Sequence, residues 1–284
     1  MLNTSQKIFV GRIVSSVFIK IRRLLALSPN VTATRKGITW SLDLTEGIDL
    51  AIYMLGGFKL GIINKCKKVI RQGDVVLDIG ANIGGQTLQL AQLVGNQGKV
   101  IAIEPTQYAF KKLEKNIRLN PTLSPRIRAE QLLIVKNNLK ELPPSIYSSW
   151  PLKNGSNVHK EHHGQLKSTQ GAMMTTLDQY VQSSNLERIN FIKLDVDGYE
   201  YDVLTSGQET LKRFKPFILM ELAPYNFESC PQNFDEILKL LWSLHYEIID
   251  TSNGKKLPND TKIVHKYILP RGEIHVLASC IQHN

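Results

Sequence analysis

The residues best placed to do chemistry are acids at the ends of short apolar runs. In Val75-Val76-Leu77-Asp78-Ile79-Gly80-Ala81-Asn82-Ile83-Gly84-Gly85, an apolar run ends around Asp78 and passes through a glycine turn into a helical pattern. Gly80 lets the backbone turn sharply and approach a ligand with no Cβ in the way, and Asn82 tolerates left-handed backbone better than most residues. The Gly-x-Gly-x-x-Gly spacing of a dinucleotide site is broken at Asn82, and a ligand without a pyrophosphate does not need that second close approach. Asp78 would repel a phosphate but favours an ammonium or a water network. Glu104 ends the next apolar run, 26 residues beyond Asp78. An acid there accepts charge-assisted hydrogen bonds from both hydroxyls of a ribose, and Pro105 then turns the chain away. Asp78, Gly80, Asn82, Gly84, Glu104 and Pro105 together point to an adenosine-bearing ligand; the plainer alternative is a tight turn beside a solvated acid. Asn137 and Asn138 follow a third apolar run, where Asn138 either reaches an adenine edge or is an ordinary turn residue.

A second group follows the apolar run Phe191-Ile192-Lys193-Leu194. Asp195 and Asp197 stand at its carboxyl end, the rim where ligands bind in open α/β sheets. Glu221 ends a later run and is expected at the same rim, although packing or capping explains Glu221 and Glu200 equally well. Between these groups, 140–175 is rich in Ser, Pro, Asn, Gly and His. It holds Trp150, suited to an apolar wall or to stacking on a sugar face, and His159, His162 and His163. A histidine titrating near neutrality suits a general base, which is the expectation for His163; His159 and His162 are expected at the acceptor. Histidines in such a loop are otherwise simply solvated. His159 and His163 have i, i+4 spacing, but Gly155 and Gly164 argue against the helix that a metal site would need there, so no metal is expected.

The elements that must position these residues alternate. Strands are expected at Val75–Ile79, 100–103, 132–135, Phe191–Leu194, 217–220, 247–250 and 274–277, with helices near 84–94, 108–119, 199–214 and 234–244 between them. This alternation predicts a doubly wound, mostly parallel sheet, with 140–175 as a long, functional insert loop. Residues 71–284 form the main domain in this reading. Residues 1–70 form a cap: an amphipathic helix, then over 31–70 a small hairpin that includes the alternating stretch Thr39–Leu44, and a helix reaching about Lys68.

In this order and spacing the sequence resembles the FkbM family of methyltransferases. The resemblance is carried by Val76-Leu77-Asp78-Ile79-Gly80-Ala81-Asn82-Ile83-Gly84, by Ala102-Ile103-Glu104-Pro105 with Asn116 and Asn120-Pro121 closing the next helix, by Thr176-Leu177-Asp178, and by Phe191 through Glu200, ending in Glu221-Leu222. It implies a Rossmann-like class I methyltransferase fold with a seven-stranded sheet, and S-adenosylmethionine as cofactor and methyl donor. It also implies O-methylation of a hydroxyl on a sugar, glycan or other small natural product. One position departs from the family: its Asp-Val-Glu-Gly reads Asp195-Val196-Asp197-Gly198, which keeps the charge and shortens the reach by a methylene. Such a reaction needs alignment of nucleophile, methyl and sulfur, and removal of a proton from a hydroxyl acceptor. Asp195 is then expected near the methionyl end of the cofactor, with Asp197 towards the acceptor or capping the following helix.

Bulk properties bound the alternatives. Of 35 basic residues, seven lie in 1–42, where no acidic residue occurs, so the remainder carries 28 basic against 25 acidic residues. A nearly neutral body lacks the basic face that a nucleic-acid reader uses, and no Asn-Pro-Pro-Tyr type motif for amino-group methylation follows the fourth strand. Nucleic acid is therefore not the expected partner; a small-molecule or glycan acceptor is. The rival readings are a methyltransferase acting on nucleic acid or protein, and a cofactor-binding protein without catalysis. Three scattered cysteines, Cys66, Cys230 and Cys280, fit a reducing, cytoplasmic setting. In the first helix, Val10, Ile13, Val14, Val17, Ile21, Leu24 and Leu25 form an apolar stripe. It either packs on the domain or lies on an anionic membrane surface through residues 1–28.

Overall fold

The computed structural model describes residues 4–136, 141–148, 152, 164–227, 230, 232–268 and 272–280, with side chains from Gly11 onward. The chain opens with helix α1 (Thr4–Leu24), the hairpin β1 (Asn30–Arg35)–β2 (Ile38–Asp43), and helices α2 (Gly47–Leu55) and α3 (Leu60–Val69). The alternating unit then runs β3 (Val75–Ile79), α4 (Thr87–Leu93), β4 (Lys99–Ile103), α5 (Gln107–Arg118) and β5 (Ile127–Glu130). An insert contributes β6 (Leu132–Ile134), β7 (Ser145–Ser148), β8 (Gln165–Ser168) and β9 (Met173–Thr175). The chain continues through α6 (Leu177–Ser183), β10 (Phe191–Leu194), α7 (Glu200–Ser206), α8 (Gln208–Phe214), β11 (Phe217–Leu222), α9 (Gln232–Ser243), β12 (Tyr246–Asp250), α10 (Thr261–Tyr267) and β13 (Ile274–Cys280).

The main sheet has seven strands in the order β12-β13-β11-β10-β3-β4-β5, with only β13 antiparallel to its neighbours. All five residues of β3 and all four of β10 are buried, as expected for central strands covered on both faces. Alternate side chains feed two cores. Val75, Leu77 and Ile79 join one with Ile192 and Leu194; Val76 and Phe191 join the other, which also takes Trp40, Ile52 and Ile63 from the N-terminal cap. The cap and one face of the sheet thus share a single apolar core.

The structure differs from the sequence reading in three places. The third strand of the sheet is β5, whereas the run at Leu132 pairs in parallel with β9 outside it. The insert is not one long loop, because β7 and β8 form an antiparallel hairpin within it. The helix expected over 199–214 breaks at Gly207, where a Cβ would stand 2.4 Å from the Leu177 side chain. That glycine lets α6 pack against the α7–α8 junction.

Candidate active site

The turn after β3 is shaped by its contacts. Gly80 has φ 81° and Asn82 φ 50°, both left-handed, as the composition of the turn predicts. A Cβ at Gly80 would lie 1.9 Å from the Asp195 carbonyl oxygen, so no side chain fits where the two strand ends meet. The amides of Gly80 and Ala81 donate to the Ile103 carbonyl, tying the turn to the end of β4.

Asp78 stands in register with Lys193 on the adjacent strand. Their side chains pair at 3.0 Å, nearly sealed from solvent at 0% and 5% exposure. Thr87 Oγ1 donates to the second Asp78 oxygen at 2.6 Å, and Lys193 donates to the Gly80 carbonyl at 2.6 Å. Asp78 therefore does not line the crevice: the ammonium the sequence reading sought beside it is the Lys193 side chain, and the pair fixes the shape of the Gly80 turn. The only sign of Lys193 in the sequence was a cation inside a four-residue apolar run.

A crevice lies on each side of the Gly80–Asn82 turn, and both are lined by Gly80, Asn82, Asp195 and Asp197. The first is walled by Ile79, Ile103, Glu104, Pro105 and Leu132. Ser148 closes it from the insert hairpin, accepting a hydrogen bond from Asn82 Nδ2 at 3.3 Å. Glu104 accepts from the Asn82 amide on one oxygen and from the Thr106 amide on the other, both at 2.9 Å. Burial raises its pKa, and these hydrogen bonds offset part of the rise. Oε1 also accepts from the Thr106 hydroxyl at 2.5 Å, so the free lone pair is on Oε2, and through it Glu104 can still accept from a ribose. A polar acceptor beside an apolar slot and a close-approach glycine turn fits the adenosine part of S-adenosylmethionine.

The second crevice is charged. Lys59, held left-handed at φ 47° just before α3, donates to Asp195 Oδ2 at 2.8 Å and Glu221 Oε2 at 3.2 Å. His275 Nε2 lies 3.3 Å from the same Glu221 oxygen. Burial works against charge on Asp195, but the Lys59 and Lys193 ammoniums overcome it and hold its carboxyl below the usual range. Glu221 is likewise lowered against burial, by Lys59 and His275. Asp197 goes the other way. Burial, then the charges of Asp195, Glu221 and Glu200, push its pKa well up, and Lys59 offsets only part. Among the described residues, Asp197 has no hydrogen-bond partner. Its left-handed backbone, φ 48°, is held by Glu200, which accepts from the amides of Val196 and Gly198. Glu200 thus braces the turn that precedes α7.

Asp195, Asp197, Glu104, Pro105, Gly80 and Asn82 meet around this turn; Gly84 stands beyond it, at the approach to α4, with a Cβ position 2.9 Å from Leu113. Glu221 joins Asp195 through Lys59. Asn138, Trp150, His159, His162 and His163 lie outside the described residues. Among the described residues, no cluster of His, Cys, Asp or Glu is arranged to hold a metal ion. Lys59 and His275 were missed by sequence reasoning because they come from the cap and the last strand, remote in sequence from every motif. Asn116 and Asn120, part of the sequence pattern, stitch the cap on: they accept from the amides of Ser41 and Thr39, and Asn116 also donates to the Ile83 carbonyl in the ligand turn.

The family profile described as the methyltransferase FkbM domain matches residues 78–248, well over half of the chain. The tRNA (cytosine(72)-C(5))-methyltransferase of Pyrococcus horikoshii is 32% identical over 73 residues, which are 26% of this chain and only 17% of that protein. Among solved structures, a methyltransferase FkbM from Methylobacillus flagellatus superposes with a TM-score of 0.43 at 16% identity, covering 76% of this chain and 50% of that one. An rRNA methylase from Streptococcus thermophilus gives 0.43 at 13% identity, over 78% and 95%. Structural likenesses of this size say nothing about the acceptor, and the expectation that nucleic acid is not a partner draws no support from the comparisons.

Proposed function

Because the chain belongs to the FkbM family and is an S-adenosylmethionine-dependent methyltransferase, we propose that it methylates a hydroxyl on a sugar, glycan or other small natural product, with Asp197 taking the hydroxyl proton. The observation that carries this reading is the contrast between two neighbouring acids at the crevice. Asp195 is tied to Lys59 and held charged, a poor proton acceptor. Asp197 lines both crevices, and burial among like charges raises its pKa, which makes its carboxylate a stronger proton acceptor than that of Asp195.

S-adenosylmethionine, when bound, supplies an electrophilic methyl group on a positively charged sulfur. The chain's own residues do the rest. Glu104 would hold the ribose through Oε2, with the Gly80–Asn82 backbone against the cofactor. Asp195 and Glu221 supply negative charge that favours a cation in the crevice, and Lys59 keeps that charge from being quenched by protonation. Asp197 accepts the proton as the acceptor oxygen becomes bonded.

The test is transfer of isotopically labelled methyl from S-adenosylmethionine into fractionated cell metabolites, glycans, RNA and protein. Label in a base-stable ether of a small molecule or glycan, lost with Asp197→Asn, is expected; label confined to RNA or protein overturns the hydroxyl reading. RNA is the second reading, favoured by the matched stretch of the tRNA methyltransferase, and the same partition of label decides it.

A further inference from the structure

Helix α1 turns outward the stripe that an amphipathic helix normally buries. It packs on the body through a different face. Gly11 lies against Leu152, Ser15 Oγ donates to the Leu44 carbonyl at 2.7 Å, and Phe18 meets Tyr53 edge-on with ring centroids 6.0 Å apart. The neighbouring sector is left in water: Ile13 is 51% exposed, Val17 50%, Ile21 51% and Leu24 87%. These four recur at i, i+4, i+8 and i+11 and so share one line along the helix. Leu25 and Leu27 extend it beyond the helix end, and Met54 and Leu55, next in sequence to Tyr53, are exposed as well. Scattered exposed aliphatic residues need no explanation, but a continuous line of them does.

Charge indicates what covers it. Residues 1–42 carry seven cations and no acid, and exposed Lys20 and Arg23 flank the stripe. A second protein chain with an ordinary mixed surface offers no reason for this one-sided charge, whereas an anionic lipid surface supplies both apolar depth and negative potential. No single described helix is long and apolar enough to cross a bilayer, so the geometry is that of a helix lying in the interface.

We propose that α1, extended by Leu25, Leu27, Met54 and Leu55, is an interfacial anchor that binds the protein to the surface of an anionic phospholipid bilayer. The stripe seats among the acyl chains, and Lys20 and Arg23 lie at the level of the headgroups. The packed face stays on the body, so docking requires no unfolding.

The test is co-sedimentation of the full chain with vesicles of phosphatidylcholine alone and of phosphatidylcholine mixed with phosphatidylglycerol. Binding to the mixed vesicles, weakened by salt and much weaker on the neutral ones, is expected. Each half-exposed aliphatic side chain exchanged for serine should weaken binding about fivefold, so Ile13→Ser/Val17→Ser/Ile21→Ser should weaken it on the order of a hundredfold. Lys20→Gln and Arg23→Gln should each cost about fivefold on anionic vesicles and nothing on neutral ones. These side chains face solvent, so thermal melting and S-adenosylmethionine affinity should be unchanged, which separates a lost anchor from a lost fold. Wild-type protein that stays in the supernatant with anionic vesicles overturns the proposal. So does unchanged binding by the triple variant, or light scattering that shows a dimer which the triple variant splits. Binding of RNA in place of vesicles, abolished by the same lysine and arginine substitutions, would also overturn it.

Discussion

Asp78 and Asp195 end neighbouring strands, each facing a lysine, yet they sit in different media. Asp78 and Lys193 are nearly sealed in the sheet, with a threonine hydroxyl on the second Asp78 oxygen and backbone carbonyls accepting from Lys193. Asp195 meets Lys59 where 24% and 15% of the two side chains remain open, beside an acid with no partner among the described residues. The first pair keeps Asp78 away from the crevices and holds the turn in shape, with only Lys193 touching the second crevice; the second sits in the crevice wall and sets the charge around a neighbouring acid. Similar pair chemistry thus serves as scaffold or as electrostatic control according to what else can enter.

The largest effect that would sharpen this contrast belongs to the open site. Asp197→Asn should lower kcat by about 10²–10⁴, the usual contribution of a positioned base, with cofactor affinity unchanged by calorimetry. Near wild-type turnover would move the base elsewhere. The sealed pair should answer in stability: Lys193→Met leaves a buried carboxylate unpaired and should cost about 3–5 kcal/mol in denaturant unfolding. If it costs nothing, Asp78 is not held by that pair. Glu104→Ala should weaken S-adenosylmethionine binding by about 1.5–3 kcal/mol, the size of hydrogen bonds to a charged group, while leaving both lysine pairs intact.

Smaller effects appear as pH dependence. Asp197 must be deprotonated to accept, so activity should fall as pH drops through its raised pKa. Lys59 holds that pKa down, so Lys59→Met should move this acid limb to higher pH; an unmoved limb separates the lysine from the base. Glu200 is buried and its carboxyl is pushed up to about 7, chiefly by burial. Between an ordinary glutamate pKa near 4.5 and about 7, the folded state binds the extra proton, so this group's contribution to stability declines as pH rises through that window. Glu200→Gln should flatten that slope in melting experiments, and an unaltered slope would assign it to another group.

Much of the fold was legible because its determinants are local. Four- and five-residue apolar runs with glycine turns between helical patterns mark the alternating unit wherever they occur, and strand ends put Asp78, Glu104 and Asp195 near one edge. Where a signal was short or shared between two partners, the reading slipped. The strand Ile127–Glu130 is half polar, and Leu132 looked equally suited to the main sheet. The insert hairpin pairs two stretches with little apolar periodicity. For α1 the sequence left open what meets its apolar stripe, because periodicity finds the stripe but not the surface that covers it.

The sequence by itself determined which acids stand at the strand ends and that the turn between them takes left-handed backbone, because backbone conformation and strand termination depend on neighbours along the chain. Only the tertiary structure decided which acid is charged, which is pushed towards neutrality and which is sealed away. A carboxyl's proton affinity depends on burial and on charges through space, and here the deciding cation, Lys59, arrives from 136 residues away in the chain.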